Sequence, residues 1–469
     1  MTWKERWSRE GGYGEVLRIA LPMILSTGSW SFQQFVERVF LTWHSPESVA
    51  AAMPAGLVSF VFMSLFLGTV TYANTFVAQY TGAGRPERVG AAVWQAIHLA
   101  ALSGVLMLGL VPLAGVIFDW AGHDPEVRRL EVAYFEILCI SAGPMLVADA
   151  ASTLFTGLGR TRVVMWVNLA CVAVLHTLLS YAWIFGRWGF PALGIRGAGW
   201  SSVVANVAAA ILFLILMLRR SYRETYNTLR AWRPDAGLLR RLIRFGLPSG
   251  VQFSLDIAAF STFLLLVGRL GTTALAATNI AFNVNSIAFM PMIGLGIAVS
   301  TLVGQRLGQD RPDLAERSAR SAAHAAFVYM GVVAAGYALL PDLFLRPFAS
   351  GADPATFAEV QKTAMVLLRF VALYCIFDAM YFAYSSAVKG AGDTRFVLYV
   401  SLAMSWGIMA IPSYVSWRLG WGLYVIWTFA TAYIMILGAV FFFRFRGGRW
   451  KSMRVIEVAS AAENGGITV

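Results

Sequence analysis

The sequence predicts an all-α integral membrane protein, with twelve transmembrane helices in two pseudo-symmetric six-helix bundles. Three observations predict it. Apolar residues make up 58% of the 469-residue chain and charged residues 13%, against about 45–50% and about 25% in a soluble domain. Basic residues crowd into alternate connections. The second half of the chain repeats the first. So few charges cannot furnish a water-facing surface for this length, which excludes an array of soluble domains.

A span needs about 20 mainly apolar residues. Such runs lie near 15–42, 49–81, 91–119, 130–156, 161–186 and 194–219. A second set follows near 238–269, 273–306, 318–345, 357–388, 395–418 and 421–446. The first run carries Pro22 and Glu37, the second Pro54, and the third His98. The fourth holds Pro144 and Asp149, and the fifth His176 and Ser180. Pro248 and Asp256 fall in the seventh run, and Asn279, Asn283 and Pro291 in the eighth. His324 falls in the ninth, Tyr374 and Asp378 in the tenth. Many tryptophans border the loops, among them Trp7, Trp43, Trp120, Trp188, Trp421 and Trp450, as expected of interfacial belts. Residues 1–14 read as an N-terminal segment, 220–237 as a basic linker and 447–469 as a disordered tail.

With both termini on one side, that side receives 27 of the 37 Lys and Arg residues and the other side 7. This is a positive-inside signal for a multi-pass protein with cytoplasmic termini, and it supports an even number of spans. The net charge of +12 therefore orients helices and gives no reason to expect nucleic acid. No polar N-terminal stretch resembles a cleaved signal peptide. The spacing of Cys139, Cys171 and Cys375 matches neither a disulfide framework nor a zinc site.

Residues 17–22, LRIALP, match 243–248, IRFGLP, and residues 76–87, FVAQYTGAGRPE, match 302–313, LVGQRLGQDRPD, both at an offset of 226. GLGRTR at 157–162 matches GAGDTR at 390–395 at an offset of 233. The offset spans an even number of helices, so the halves (15–219 and 238–446) share one orientation. Parallel repeats of this kind are a transporter device, with the substrate held between the halves. The paired Gly82–Glu87 and Gly308–Asp313 motifs read as tight turns. No G-x-x-x-x-G-K-[ST] phosphate loop occurs, so an ion gradient or a partner must drive transport. No loop carries a clustered catalytic set, which speaks against an enzyme.

A carboxylate at mid-bilayer costs at least about 2.5–3.5 kcal/mol on insertion scales and so faces a cavity or a partner. Asp256 and Asp378 are the leading pair, with Tyr374 one helical turn from Asp378. Two close carboxylates repel, and one proton or one Na⁺ relieves them. Tyr374 offers a ring face to a cation. Asn279 and Asn283, also one turn apart, offer carbonyl oxygens. Glu37 is read as a substrate or proton site, against an ion pair with Arg38 at the membrane edge. Asp149 and His176 are read as lining a first-half cavity. His98 and His324 occupy equivalent repeat positions and read as symmetric packing. Pro22 and Pro248 read as symmetric hinges, because buried prolines free backbone carbonyls and permit bending.

These residues resemble the multidrug and toxic compound extrusion (MATE) family, NorM-like branch, over roughly 15–446. The resemblance rests on Pro22 with FVERVFL at 35–41, FVAQYTGAGR at 76–85, SLDIAAF at 254–260, the eighth-helix segment 277–308, YCIFDAM at 374–380 and VKGAGDTR at 388–395. It implies a V-shaped pair of bundles and export of organic, often cationic, drugs or metabolites against Na⁺ or H⁺ by alternating access. It implies no cofactor and a functional monomer. It further implies that Asp256 and Asp378 bind the coupling cation (metal ligands where that ion is Na⁺), with Tyr374 and Glu37 contributing. The chain departs from the family at several points. The first-helix aspartate is Glu37, the seventh-helix glutamate is Asp256, and the fifth-helix N-x-x-x-D pattern reads His176 and Ser180. A lipid-linked oligosaccharide flippase of the same superfamily, or a dedicated natural-product exporter, is the alternative. A flippase should line its cavity with Arg or Lys, whereas the mid-span charges here are mainly acidic.

Overall fold

The computed structural model describes residues 3–119, 123–349 and 354–457; Trp120 and the chain beyond Glu457 lie outside them. Among the described residues every regular element is helical. Twelve long helices carry the fold. The first six are α1 Tyr13–His44, α2 Pro46–Gly82, α3 Pro86–Asp119, α4 Pro125–Gly157, α5 Thr161–Phe185 and α6 Ile195–Met217. The second six are α7 Ala236–Gly268, α8 Thr272–Gly308, α9 Pro312–Leu339, α10 Pro354–Ala391, α11 Thr394–Arg418 and α12 Leu423–Arg446. All except α1 are long and apolar enough to cross a membrane. The α1 helix has the length, 32 residues, but Ser26, Ser29, Gln33, Gln34, Glu37 and Arg38 make it polar. It packs between α5 of its own half and α8 of the other.

Local chemistry sets the ends. Pro86 and Pro312, equivalent in the repeat, sit in the first turns of α3 and α9, where a missing N–H costs nothing. Asp235 caps α7, accepting from Leu238 N at 2.9 Å. Two sequence boundaries need correction. The ninth run stops at Leu339 because Pro341 starts a separate short helix, Pro341–Ala349. The second run is interrupted at Thr71–Tyr72. Both α5 and α11 contain a π-helical stretch, Leu169–Leu175 and Ser405–Ala410, at similar places in the two halves. Such widened turns gather at functional sites.

Each half is organised around one central helix: α4 packs on α2, α3 and α6, and α10 on α8, α9 and α12. The halves meet through α1 against α8 and α2 against α7. Glycine permits that approach. A Cβ on Gly250 would lie 2.0 Å from Leu65 O, one on Gly68 2.8 Å from Gly250 Cα, and one on Gly294 2.6 Å from Ile24 N. Toward the face that carries both termini, called here the terminal face, a Cβ on Gly82 would lie 2.0 Å from Gln305 O and one on Gly308 2.2 Å from Gln79 O. The paired motif is therefore more than a turn: Gly82 and Gly308 are helical crossing points between the halves.

The contacts between halves are unevenly placed. Hydrogen bonds and ring contacts between halves run from the terminal face as far as Thr27 with Met290, Ser254 with Val61, and Phe60 with Phe253. None occurs beyond these, among the described residues. The halves are joined on the terminal face and part toward the other, the V of the two-bundle architecture.

The expectation of a disordered tail from residue 447 fails through Glu457. Gly448–Glu457 folds back on the terminal face. There Trp450 is fully buried, stacked on Phe445 and donating to Phe445 O at 2.8 Å. Trp450 is thus no interfacial anchor, unlike exposed Trp43, Trp188 and Trp421.

Candidate functional site

Each half holds a polar nest inside its bundle. In the second half, Asp256 on α7 accepts a hydrogen bond from Gln252 Nε2, one turn earlier. Gln252 in turn accepts from Lys389 Nζ at 2.6 Å through its own Oε1. The other carboxylate oxygen, Asp256 Oδ1, is buried and accepts no well-formed hydrogen bond, with the Ser405 hydroxyl of the α11 π-helical stretch close enough to act on the carboxyl. Asp378, 5% exposed, stands on α10 one turn from buried Tyr374. Asn285 Nδ2 donates to Tyr374 Oη at 3.4 Å. Tyr381 on α10 and Tyr433 on α12 lie within electrostatic reach of both Asp256 and Asp378. The π-helical stretch of α11 packs on α7 beside this group. The result is two acids, one with an oxygen that accepts no well-formed hydrogen bond, with Tyr374, Tyr381 and Tyr433 in their neighbourhood. It can take a proton or a small cation with oxygen ligands.

In the first half, Glu37 is 9% exposed and turned inward, while Arg38 faces out. Glu37 Oε1 accepts from Tyr134 Oη on α4. Glu37 Oε2 lies 3.3 Å from His176 Nε2 on α5. That nitrogen is also 3.1 Å from Ser202 Oγ on α6, and Ser180 Oγ is 3.4 Å away. The edge ion pair with Arg38 is therefore not what holds Glu37. The ring of His176 is fully buried behind the carboxylate. Its Nε2 is the atom that meets Glu37. The π-helical stretch of α5 ends one residue before His176.

Other sequence candidates are placed more loosely. Asn283 is exposed and Asn279 half-buried, whereas Asn285 makes the contact with Tyr374. Asp149 is half-buried on α4. Pro22 is buried within α1 and Pro248 half-buried within α7, each beside the crossing glycines. His324 Nδ1 pairs with Tyr13 Oη at 3.2 Å, and the His98 ring lies 6.0 Å from that of Trp94. Both histidines lie near the terminal face but with different partners, so their equivalence in the repeat does not extend to their contacts. Sequence reasoning missed Gln252, Lys389, Tyr134, Tyr381 and Tyr433. The i,i+4 spacing of Gln252 and Asp256 and the i,i+3 spacing of Asp378 and Tyr381 were the signals available.

Below these nests the seam is built symmetrically. Gln79 Nε2 donates to Gly390 O at 3.0 Å, and its repeat partner Gln305 Nε2 donates to Gly157 O at 2.7 Å. Asn74 bonds Thr301 Oγ1 at 3.1 Å. Tyr72 Oη donates to Lys389 O at 2.8 Å.

A duplicated six-helix unit, joined on one face and holding a buried acid nest in each half, defines a two-bundle membrane transporter. The comparisons give its family. The chain matches MatE over residues 22–182 and 248–415. It is 30% identical over 394 residues to a "Probable multidrug resistance protein NorM" of Bradyrhizobium diazoefficiens, covering 84% of each chain. It is 29% identical over 405 residues to "Multidrug resistance protein PmpM" of Pseudomonas aeruginosa, covering 84% of this chain and 82% of that one. The chain belongs to the MATE family, within its NorM-like branch. Among solved structures, an "outward-facing conformation of a multidrug resistance MATE family transporter" superposes with a TM-score of 0.85 at 17% identity, over 98% and 99% of the two chains. A MOP superfamily transporter from Pyrococcus furiosus superposes with a TM-score of 0.84 at 18% identity, over 95% and 98%. These last two establish the fold alone.

Proposed function

We propose that the chain is a secondary antiporter exporting small organic, often cationic, compounds in exchange for inward Na⁺ or H⁺, and that it works as a monomer. The observation that carries this reading is Asp256 with Asp378: two acids inside the second bundle, one with a buried oxygen that accepts no well-formed hydrogen bond. Leaving a buried carboxylate oxygen without a hydrogen bond is costly, so a proton or cation that completes its shell is favoured there. The multidrug names of the relatives support the substrate class.

The terminal face is the cytoplasmic one, since 27 of 37 basic residues belong to it when both termini share a side. The closed seam then gives the state open to the outside. Alternating access opens the seam and closes the far ends, with Pro22 and Pro248 taking up the bend. Coupling ions drive the cycle. Each monovalent ion entering across 100 mV yields about 2.3 kcal/mol, and a tenfold gradient adds about 1.4 kcal/mol. Export of a monocation for one ion cancels the electrical part. Strong accumulation therefore calls for two ions, for which the two nests supply sites.

The acidic nests also bear on the flippase alternative, because a pyrophosphate would meet Glu37, Asp256 and Asp378 in mid-membrane with Lys389 as the one cation of the nest. The test is transport in reconstituted vesicles with Na⁺ and H⁺ gradients imposed separately over a panel of organic cations. Asp378→Asn should fold and lose gradient-driven export; export at the wild-type rate in that variant would refute the site.

A further inference from the structure

Lys389 reads from the sequence as one more positive-inside residue near a loop. Its side chain does something else. It turns back into the second bundle, and its ammonium donates to Gln252 Oε1 at 2.6 Å. The same amide donates from Nε2 to Asp256. Gln252 is 4% exposed, so its amide is fixed with oxygen toward the cation and nitrogen toward the anion. A charge-assisted relay thus connects ammonium to carboxylate through one side chain. Meanwhile the backbone at this point belongs to the seam. Lys389 O accepts from Tyr72 Oη and Gly390 O from Gln79 Nε2, both on α2 of the other half. A Cβ on Gly390 would lie 2.6 Å from Ser300 O on α8 of the same half, so this backbone is packed tightly within its own bundle as well as bonded across the seam.

We propose that Lys389 is the internal counter-cation of the Asp256 site and a positioning residue that links occupancy of that site to the seam. This rests on Asp256 being a coupling-ion site. With no ion bound, the relay supplies the positive charge that the buried carboxylate needs, and the side chain of Lys389 is held inward. A coupling cation arriving at Asp256 Oδ1 brings a second positive charge against the same carboxylate. The two positive charges on either side of Gln252 then repel, and the weaker attachment, Lys389 to the neutral amide oxygen, is the one that gives way. Freed from Gln252, the Lys389 side chain no longer braces the end of α10 where Tyr72 and Gln79 hold it. The entering cation adds one positive charge to the nest, and the nest returns to its former charge when the freed Lys389 ammonium swings out of it toward the terminal face.

The experiment measures the ion concentration for half-maximal transport, and independently the ion-dependent rise in unfolding temperature of the purified protein, for wild type, Lys389→Met, Lys389→Arg and Asp256→Asn. Lys389→Met keeps the stem and removes the charge. It should tighten apparent ion affinity by at least about tenfold, the size expected when one nearby unit charge is removed in an interior of effective dielectric about 20, and should loosen the dependence of export on the gradient. Lys389→Arg should stay near wild type. In the Asp256→Asn background, Lys389→Met should change ion dependence no further. Unchanged ion affinity in folded Lys389→Met, while Asp256→Asn abolishes it, would overturn this inference and leave the ion site standing. Wild-type ion dependence in Asp256→Asn would overturn both. The thermal readout decides the matter even where Lys389→Met transports nothing.

Discussion

At the scale of single residues, the two nests solve one problem in two ways. A carboxylate inside a bundle needs donors, and its side-chain length decides which it reaches. Glu37, one methylene longer than the family's aspartate, spans from α1 to Tyr134 on α4 and His176 on α5. Asp256, one methylene shorter than the family's glutamate, reaches Gln252 on its own helix and is carried to Lys389 by that amide. The first nest is therefore an interdependent group, in which Glu37, His176 and Ser202 meet at one ring nitrogen. Removing one member strands the rest, and an unpaired buried polar group costs about 1–3 kcal/mol. His176→Phe should lower the unfolding temperature, and Glu37→Gln should lower it too. The double variant should fall short of the sum by about 0.5–3 kcal/mol, as for residues in one hydrogen-bond network. Thermal unfolding of the four proteins in detergent checks this; additive effects would break the link between Glu37 and His176.

At the scale of elements, the seam is made by glycines whose meaning depends on a partner far along the chain. Gly250 fits under Leu65 O and Gly82 under Gln305 O. Small residues let helix backbones approach this closely in membranes. Gly250→Ala would place a methyl 2.0 Å from a carbonyl oxygen, so α2 and α7 must part. Overpacking of this kind costs about 1–3 kcal/mol. Gly28→Ala in α1 meets nothing within 4 Å and should be neutral or slightly stabilising. Comparing their unfolding temperatures tests whether the crossing, rather than glycine in a helix as such, sets the cost. The same dependence on partners explains what could be read from the sequence. Helix positions, the repeat and the acids were legible, because hydropathy, self-similarity and mid-span charge are local. The role of Gly82 and Gly308 was not, since a close approach between segments 226 residues apart leaves no mark beyond the glycine itself. The fate of Lys389 was hidden for a similar reason: a long side chain at a helix end can turn outward or inward, and only the place of Gln252 decides.

At the scale of the whole molecule, the two chain ends cross over and clasp the opposite half. Glu15 bonds Arg306 at 2.6 Å, and Glu10 bonds Arg311 at 3.0 Å, tying the N-terminal segment to the second half. Glu457 gathers Arg88 at 3.4 Å and Arg85 at 3.7 Å from the first half, together with Arg241 and Tyr80. Val455 N donates to Gln79 Oε1 at 2.8 Å, so the tail also locks a seam residue. Ion pairs this exposed are each worth about 0.2–1 kcal/mol, and more when several charges share one partner. Burial pushes the Glu457 carboxyl up, but hydrogen bonds from Tyr80 and Arg241 outweigh it and hold the group down at about 2. An ordinary glutamate titrates near about 4.3. The stabilisation is therefore complete above about pH 5 and disappears as the pH falls toward 2. Between pH 5 and pH 8 the Glu457 carboxylate stays charged, so this end of the clasp does not sense pH in that range. The difference in unfolding temperature between wild type and Glu457→Gln should accordingly be constant from pH 8 to 5 and shrink below pH 4. Ending the chain after Gly447 should weaken the seam without unfolding either bundle. Cysteine at Ala78, fully buried against Gly304, reports on this once the three native cysteines are replaced. Its labelling from the terminal face by a membrane-impermeant thiol reagent should rise about tenfold in the shortened chain, the factor that about 1.4 kcal/mol commands. Equal labelling in both chains would show that the glycine crossings alone close the seam and that the clasp carries no share of it.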